Sequence, residues 1–91
     1  MSTKSVTYDL RRPGRDYTTL LRVLAAMPSA VHYQQSCWLV NWNGTAVSLR
    51  DHLLQYIDAN DLMMVMTVTE AAWHPVMACG PKIRQTFASA A

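Results

Sequence analysis

Asp9 is the first residue in this chain whose type and setting can do chemistry. It lies in a run, 5–10, where polar and apolar residues alternate, the period of a half-buried strand. Val6, Tyr8 and Leu10 share one face; Ser5, Thr7 and Asp9 share the other, so Asp9 is expected to point away from the apolar side. A carboxylate there can hold Mg²⁺ or Mn²⁺, and such an ion polarises a phosphate and activates water. If a two-fold axis passes nearby, two copies of Asp9 approach, and a metal or a shared proton relieves their repulsion. The plainer reading makes Asp9 the cap of the following turn, bonding amides near Arg11 or Arg12. One aspartate per chain is also a thin ligand set for a metal.

Arg11, Arg12 and Arg15 flank Pro13-Gly14 just ahead of a helix start. Guanidinium groups and free helix amides both favour phosphate, so this loop can grip a nucleic-acid backbone. Tyr8, next to Asp9, joins Arg11, Arg12 and Arg15 as a candidate nucleic-acid contact. The alternative is a solvated loop whose arginines confer solubility or pair with Asp16. Tyr33, Trp38 and Trp42 can stack bases, but Trp38 and Trp42 share a strand face with Val40, which favours packing. His32, His52 and His74 have no ligand spacing. A catalytic Cys37–His32 pair has only the presence of both residues behind it, and Cys79 reads as a free thiol in the tail.

These residues must be positioned by a short series of elements. After the Pro-Gly turn, Asp16 suits an N-cap, and Tyr17, Leu20, Leu21, Leu24 and Met27 recur at helical spacing, giving a helix over 16–27 that Pro28 ends. Residues 31–35 and 36–42 read as strands, and Asn43-Gly44 as a turn leading out of the second. Ser48 with Asp51 resembles a capping box, and Leu49, Leu53, Tyr56 and Ile57 mark the buried stripe of a second helix. Residues 62–68 form an apolar run interrupted only by Thr67. Leu62, Met64, Met66 and Val68 face one side of it and Met63 and Val65 the other, so the strand needs cover on both sides. Two helices on one face leave the second face for another chain or for the tail.

The order gives one α+β sandwich of the split, ferredoxin-like β-α-β-β-α-β kind over residues 1–70: an antiparallel sheet with two helices on one face. Right-handed crossovers place the first and third strands centrally and the second and fourth at the edges. The tail, 71–91, carries Trp73, Val76, Met77, Ile83 and Phe87 and is expected to add an edge strand or dock on the sheet edge or a partner subunit, with Gly80-Pro81 interrupting it.

Composition sets the bounds. Ninety-one residues suffice for one core. Half the residues are hydrophobic and 15% are charged, an apolar balance for so small a body that a homodimer would resolve. The net charge of +2 is too small to argue for nucleic acid alone, although five of eight basic residues lie in the first 22 positions. Two cysteines without zinc spacing exclude a disulfide framework or a zinc ribbon. No apolar run reaches bilayer length and no signal-peptide core opens the chain, so the expected setting is cytoplasmic, with no membrane partner.

Tyr8-Asp9-Leu10 followed by Pro13-Gly14-Arg15-Asp16-Tyr17, with 36–40 and 58–65 in order, resembles the small Cas-two, VapD and SinR-like proteins, closest to the SinR-like branch. The resemblance covers residues 4–70. It implies a ferredoxin-like dimer in which open sheet faces meet, with Asp9 at the position where nuclease members hold a divalent metal near the dimer axis. Other members join DNA to a protein partner without cutting it. Two functions follow as expectations: a nucleic-acid-binding dimer with metal-dependent phosphodiesterase activity through Asp9, or a non-catalytic dimeric protein-interaction module, an inhibitor or adaptor in phage–host or mobile-element conflict. The segment after Glu70 departs from any partner-docking tail of that family.

Overall fold

A computed structural model describes residues 1–10, 17–74 and 80–90 of the chain. In order, it forms β1 (Ser2–Asp9), α1 (Thr18–Ala25), β2 (Val31–Gln34), β3 (Cys37–Trp42), α2 (Ala46–Leu54), β4 (Leu62–Thr67) and α3 (Gly80–Ser89). The four strands make one sheet in the order β2-β3-β1-β4, every neighbouring pair antiparallel. β1 and β3 are thus inside and β2 and β4 at the edges, as the crossover argument expects.

Alternation in β1 and β3 decides what each face holds. Val6, Trp38 and Val40 point to one side and meet Leu20 and Leu24 of α1 and Leu49 and Leu53 of α2. The four leucines are completely buried and sit four apart on their helices, one turn of the same stripe. Tyr56 and Ile57, just past the end of α2, and Met63 and Val65 of β4 complete this layer.

α2 begins differently from the expected capping box. Thr45, in an extended conformation, is the N-cap: its hydroxyl accepts from the Ser48 amide at 3.1 Å. Ser48 Oγ donates to the Thr45 carbonyl at 2.8 Å and accepts from Trp42 Nε1 at 2.9 Å, while Asp51 turns to Arg50 at 2.8 Å. An Asp side chain is one methylene shorter than the Glu that reaches back in a capping box. Gly44 is needed at this corner, because a Cβ there would stand 2.7 Å from Ser48 Oγ and 2.9 Å from Trp42 Nε1.

The tail differs most from expectation. It contributes no edge strand among the described residues; α3 lies across the sheet face opposite α1 and α2, against β3, β1 and β2. Ile83 and Phe87 are four apart and fall on one helix side, where they join Val31, Leu39 and Tyr33. Pro81 sits in the first turn of α3, where its missing amide hydrogen costs nothing. Buried polar groups hold the helix as well. Thr3 Oγ1 donates to Asn41 Oδ1 at 3.0 Å, Asn41 Nδ2 donates to the Thr86 carbonyl at 3.0 Å, and Thr86 Oγ1 donates to the Ser29 carbonyl at 2.9 Å. Ser29 adopts a positive φ of 53°, the turn by which the chain leaves α1 and enters β2. No helix among the described residues is long and apolar enough to cross a membrane.

Candidate functional site

Asp9 is exposed at the end of β1, opposite Leu62 of β4. Strand phase puts it on the same face as Thr7 and Ser5, the face that α3 only partly covers. A shallow depression of about 320 Å³ lies here, lined by Thr7, Tyr8, Asp9, Leu62, Met63 and Met64. The described residues contain no group of three or more His, Cys, Asp or Glu side chains able to hold a metal ion. Among the described residues, Asp9 by itself is a thin donor set for Mg²⁺ or Mn²⁺, and no chemical step is derived through such an ion. Arg11, Arg12 and Arg15 lie outside the described residues.

Tyr8 is set apart from Asp9 by the alternation of the strand. It packs against the α1–α2 core, and its hydroxyl accepts from Trp38 Nε1 at 3.1 Å. Burial pushes the Tyr8 phenol above its ordinary value, the Trp38 N–H pulling the other way and Cys37 adding to the rise. Trp38 is 7% exposed, with His32 stacked parallel on it at 4.3 Å between centroids, and Trp42 leans on His52 at 5.4 Å. The tryptophans thus serve packing. His32 lies on the helix side and Cys37, level with Thr7, on the other, so the strand backbone separates that pair. Lys4, one of the clustered cations of the first 22 residues, is 2% exposed; its amine donates to the hydroxyls of Ser2 and Thr67. It is a structural cation here and offers nothing to phosphate.

On the face shared with α3, Tyr33 and Ser5 bring their hydroxyls to 3.0 Å. Burial raises the Tyr33 phenol, with the Ser5 contact opposing and Cys37 adding. They sit at one wall of a groove of about 410 Å³ between α3 and β4, lined chiefly by Leu39, Met66, Val68, Trp73 and Ile83. The Arg84 guanidinium stands 5.5 Å from the Trp73 ring centroid, a cation–π contact. The groove had no signature in the sequence, because its walls join β1, β3, β4 and the tail and no spacing within one element marks it.

Beside the groove, β4 presents Leu62, Met64 and Met66 at 50%, 59% and 43% exposure. Leu62 to Met66 is the stretch whose two-sided apolarity called for cover. Met63 and Val65 find it under the helices, whereas Leu62, Met64 and Met66 do not among the described residues. Asp61, a carboxylate that the sequence reading did not single out, is 8% exposed and accepts from the Tyr17 hydroxyl at 2.9 Å and from the Asp58 amide at 2.8 Å. It fixes the entry to β4 against the start of α1. No protein-family model matches this chain, and no solved structure matches it.

Proposed function

We propose that this protein is a small interaction module, ferredoxin-like in topology, whose working surface is the half of the sheet beside α3. The topology reading is supported by the strand order β2-β3-β1-β4 with α1 and α2 together on one face. The function rests on one observation: the row of half-exposed Leu62, Met64 and Met66 on a regular strand. Contiguous apolar side chains cost free energy in water and are retained where a partner covers them. The exposed row of β4 is itself uncharged, which suits a protein partner better than a polyanion.

A second reading keeps the nucleic acid. Its support is Asp9 itself, exposed on that same face two residues before Arg11, with the arginines gripping phosphate and two Asp9 carboxylates of a dimer sharing Mg²⁺ or Mn²⁺. One experiment separates the two. Purified protein is incubated with labelled RNA and DNA, with and without Mg²⁺ or Mn²⁺, beside Asp9→Ala. A photoreactive side chain at position 64 is tested in parallel in the native host. The interaction module gives a discrete protein adduct at position 64 and no nucleic-acid retention. Cleavage requiring both metal and Asp9 would establish the nuclease instead.

A further inference from the structure

We infer that β4 is a homotypic pairing edge: two copies of the chain join antiparallel along Leu62–Thr67 into one continuous sheet, with the dyad at Val65. This rests on the interaction-module reading of the β4 surface and names its partner as a second copy.

The two sheet edges differ in how they resist such pairing. β2 is four residues long, and its register breaks between His32 and Gln34, both devices that blunt an edge. β4 is six residues long, keeps one register throughout and contains no charge, proline or glycine. Edges normally carry lysine, proline or a bulge to prevent association. β4 carries none, and its sequence is self-compatible.

The hydrogen-bond phase fixes the register. The Val68 amide donates to the Thr3 carbonyl at 2.9 Å, continuing the β1–β4 ladder. Bonded and non-bonded pairs alternate along an antiparallel ladder, so Met66, Met64 and Leu62 turn their backbone groups toward β1. The Tyr8 amide agrees, donating the other way, to Ser36 at 3.1 Å. Met63, Val65 and Thr67 therefore direct their N–H and C=O groups outward, at an edge with no further strand among the described residues. A dyad at Val65 sets Val65 against its own copy and Met63 against Thr67, so every one of these donors meets an acceptor. A dyad one residue away, at Met64, leaves Thr67 beyond the end of the facing strand.

The same register matches the side chains. Opposite residues in an antiparallel pair point to one face, so Met64 of one copy lies beside Met66 of the other, and Leu62 beside Val68. The two exposed rows fuse into one apolar patch continuous with the groove under Trp73. The flanking acids do not collide: Asp61 falls opposite Thr69 and Glu70 opposite Asn60. By strand spacing and rise, the two Asp9 residues end on the order of 25 Å apart, so this pairing differs from a dimer that brings them together at an axis.

The oligomeric state of the full chain, measured by light scattering across a micromolar concentration series, tests this. Wild type is expected to dimerise. Val65→Pro removes an outward amide without touching the β1 ladder, and Met64→Lys places a charge on the exposed row; each should leave a monomer with an unchanged circular dichroism spectrum. In a Cys37→Ser, Cys79→Ser background, Val65→Cys should form an intermolecular disulfide on mild oxidation, and Val47→Cys, exposed on α2, should not. The cysteine pair remains decisive if the proline variant unfolds. A wild-type monomer at every concentration, or a dimer without the Val65→Cys crosslink, would overturn the inference while leaving a module for some other protein standing.

Discussion

On the face toward α1 and α2, seven wholly or nearly buried apolar side chains from four elements interlock, with Tyr8, Met63 and Val65 sealing the rim. On the opposite face, α3 brings Ile83 and Phe87 to Val31 and Leu39, and much of its fixation comes from the Thr3–Asn41–Thr86–Ser29 chain of hydrogen bonds. Farther along that face, Leu62, Met64 and Met66 have no cover among the described residues. A sheet can thus be closed by apolar volume on one side and by directional polar bonds on the other. Volume tolerates imprecise partners; a polar latch works only when every group is paired. The first face is built for stability and the second leaves surface for binding.

The largest effect should come from emptying the first face. Leu53 is completely buried among Val6, Val40 and Leu49, so Leu53→Ala is expected to cost about 3 kcal/mol through lost transfer free energy and the cavity left behind. Ile83→Ala on the second face should cost about 2 kcal/mol, at the low end for such truncations, because the smaller cluster under α3 can close on itself. Urea unfolding of both variants measures the difference. Equal costs would mean that α3 belongs to the same cooperative core as α1 and α2, and the contrast between faces would fail.

Asn41→Ala tests the latch directly. Asn41 is 1% exposed and links Thr3 to the Thr86 carbonyl. Its removal leaves two buried groups without partners, for an expected loss of about 2 kcal/mol. Amide hydrogen exchange should show protection falling first in α3 and little changed in α2, since local opening follows the weaker contacts. Uniform loss across both helices would place Asn41 in the common core.

Sequence pattern revealed one face and not the other, for a physical reason. Val6 and Tyr8, Leu20 and Leu24, Leu49 and Leu53 repeat at periods of two or four, and apolar repetition is what a linear reading detects. The central placement of β1 and β3 followed from crossover geometry. α3 was missed because its sheet-facing side carries just two large apolar residues, Ile83 and Phe87, beside the polar Thr86, and Gly80-Pro81 reads as a break although proline is at home in a first turn. The polar latch joins residues 3, 29, 41 and 86, whose proximity no local spacing encodes. At the candidate site, the phase of Asp9 was legible, as was the two-sided apolarity of 62–68. The burial of Lys4 was not, because hydroxyls supplied by Ser2 and Thr67 can house an amine that composition counts as a surface cation. The contacts of Arg11, Arg12 and Arg15 lie outside the described residues.

A half-buried phenol on each face, Tyr8 on one and Tyr33 on the other, gives a pH probe of both. Tyr8 and Tyr33 are raised chiefly by burial. A raised value means that the folded protein keeps the proton when the unfolded chain has lost it. The stabilisation is complete below the unfolded value of about 10 and is lost as pH rises through the folded values. Stability should therefore fall in the alkaline range above about pH 10, and tyrosinate absorbance should appear later in the folded protein than in urea. Tyr33→Phe should remove the part of this delay that belongs to the α3 face, leaving that of Tyr8. If the variant titrated like wild type, Tyr33 would be solvated and the groove wall it forms would be open.

The smallest effect is expected at the uncovered row, and its smallness is informative. Met64 is 59% exposed, so Met64→Lys should change monomer stability by no more than about 0.5 kcal/mol. Where copies associate, the native state gains stability with concentration because association favours folded chains by mass action. The melting temperature of wild type should rise over a concentration series and that of Met64→Lys should stay flat, the two curves meeting at the dilute end. Curves that part at the dilute end would show Met64 contributing to its own fold. Curves that climb together would place the association elsewhere. A wild type as flat as the variant would leave the apolar row to a partner other than a second copy, which is the remaining way for β4 to complete the weaker face.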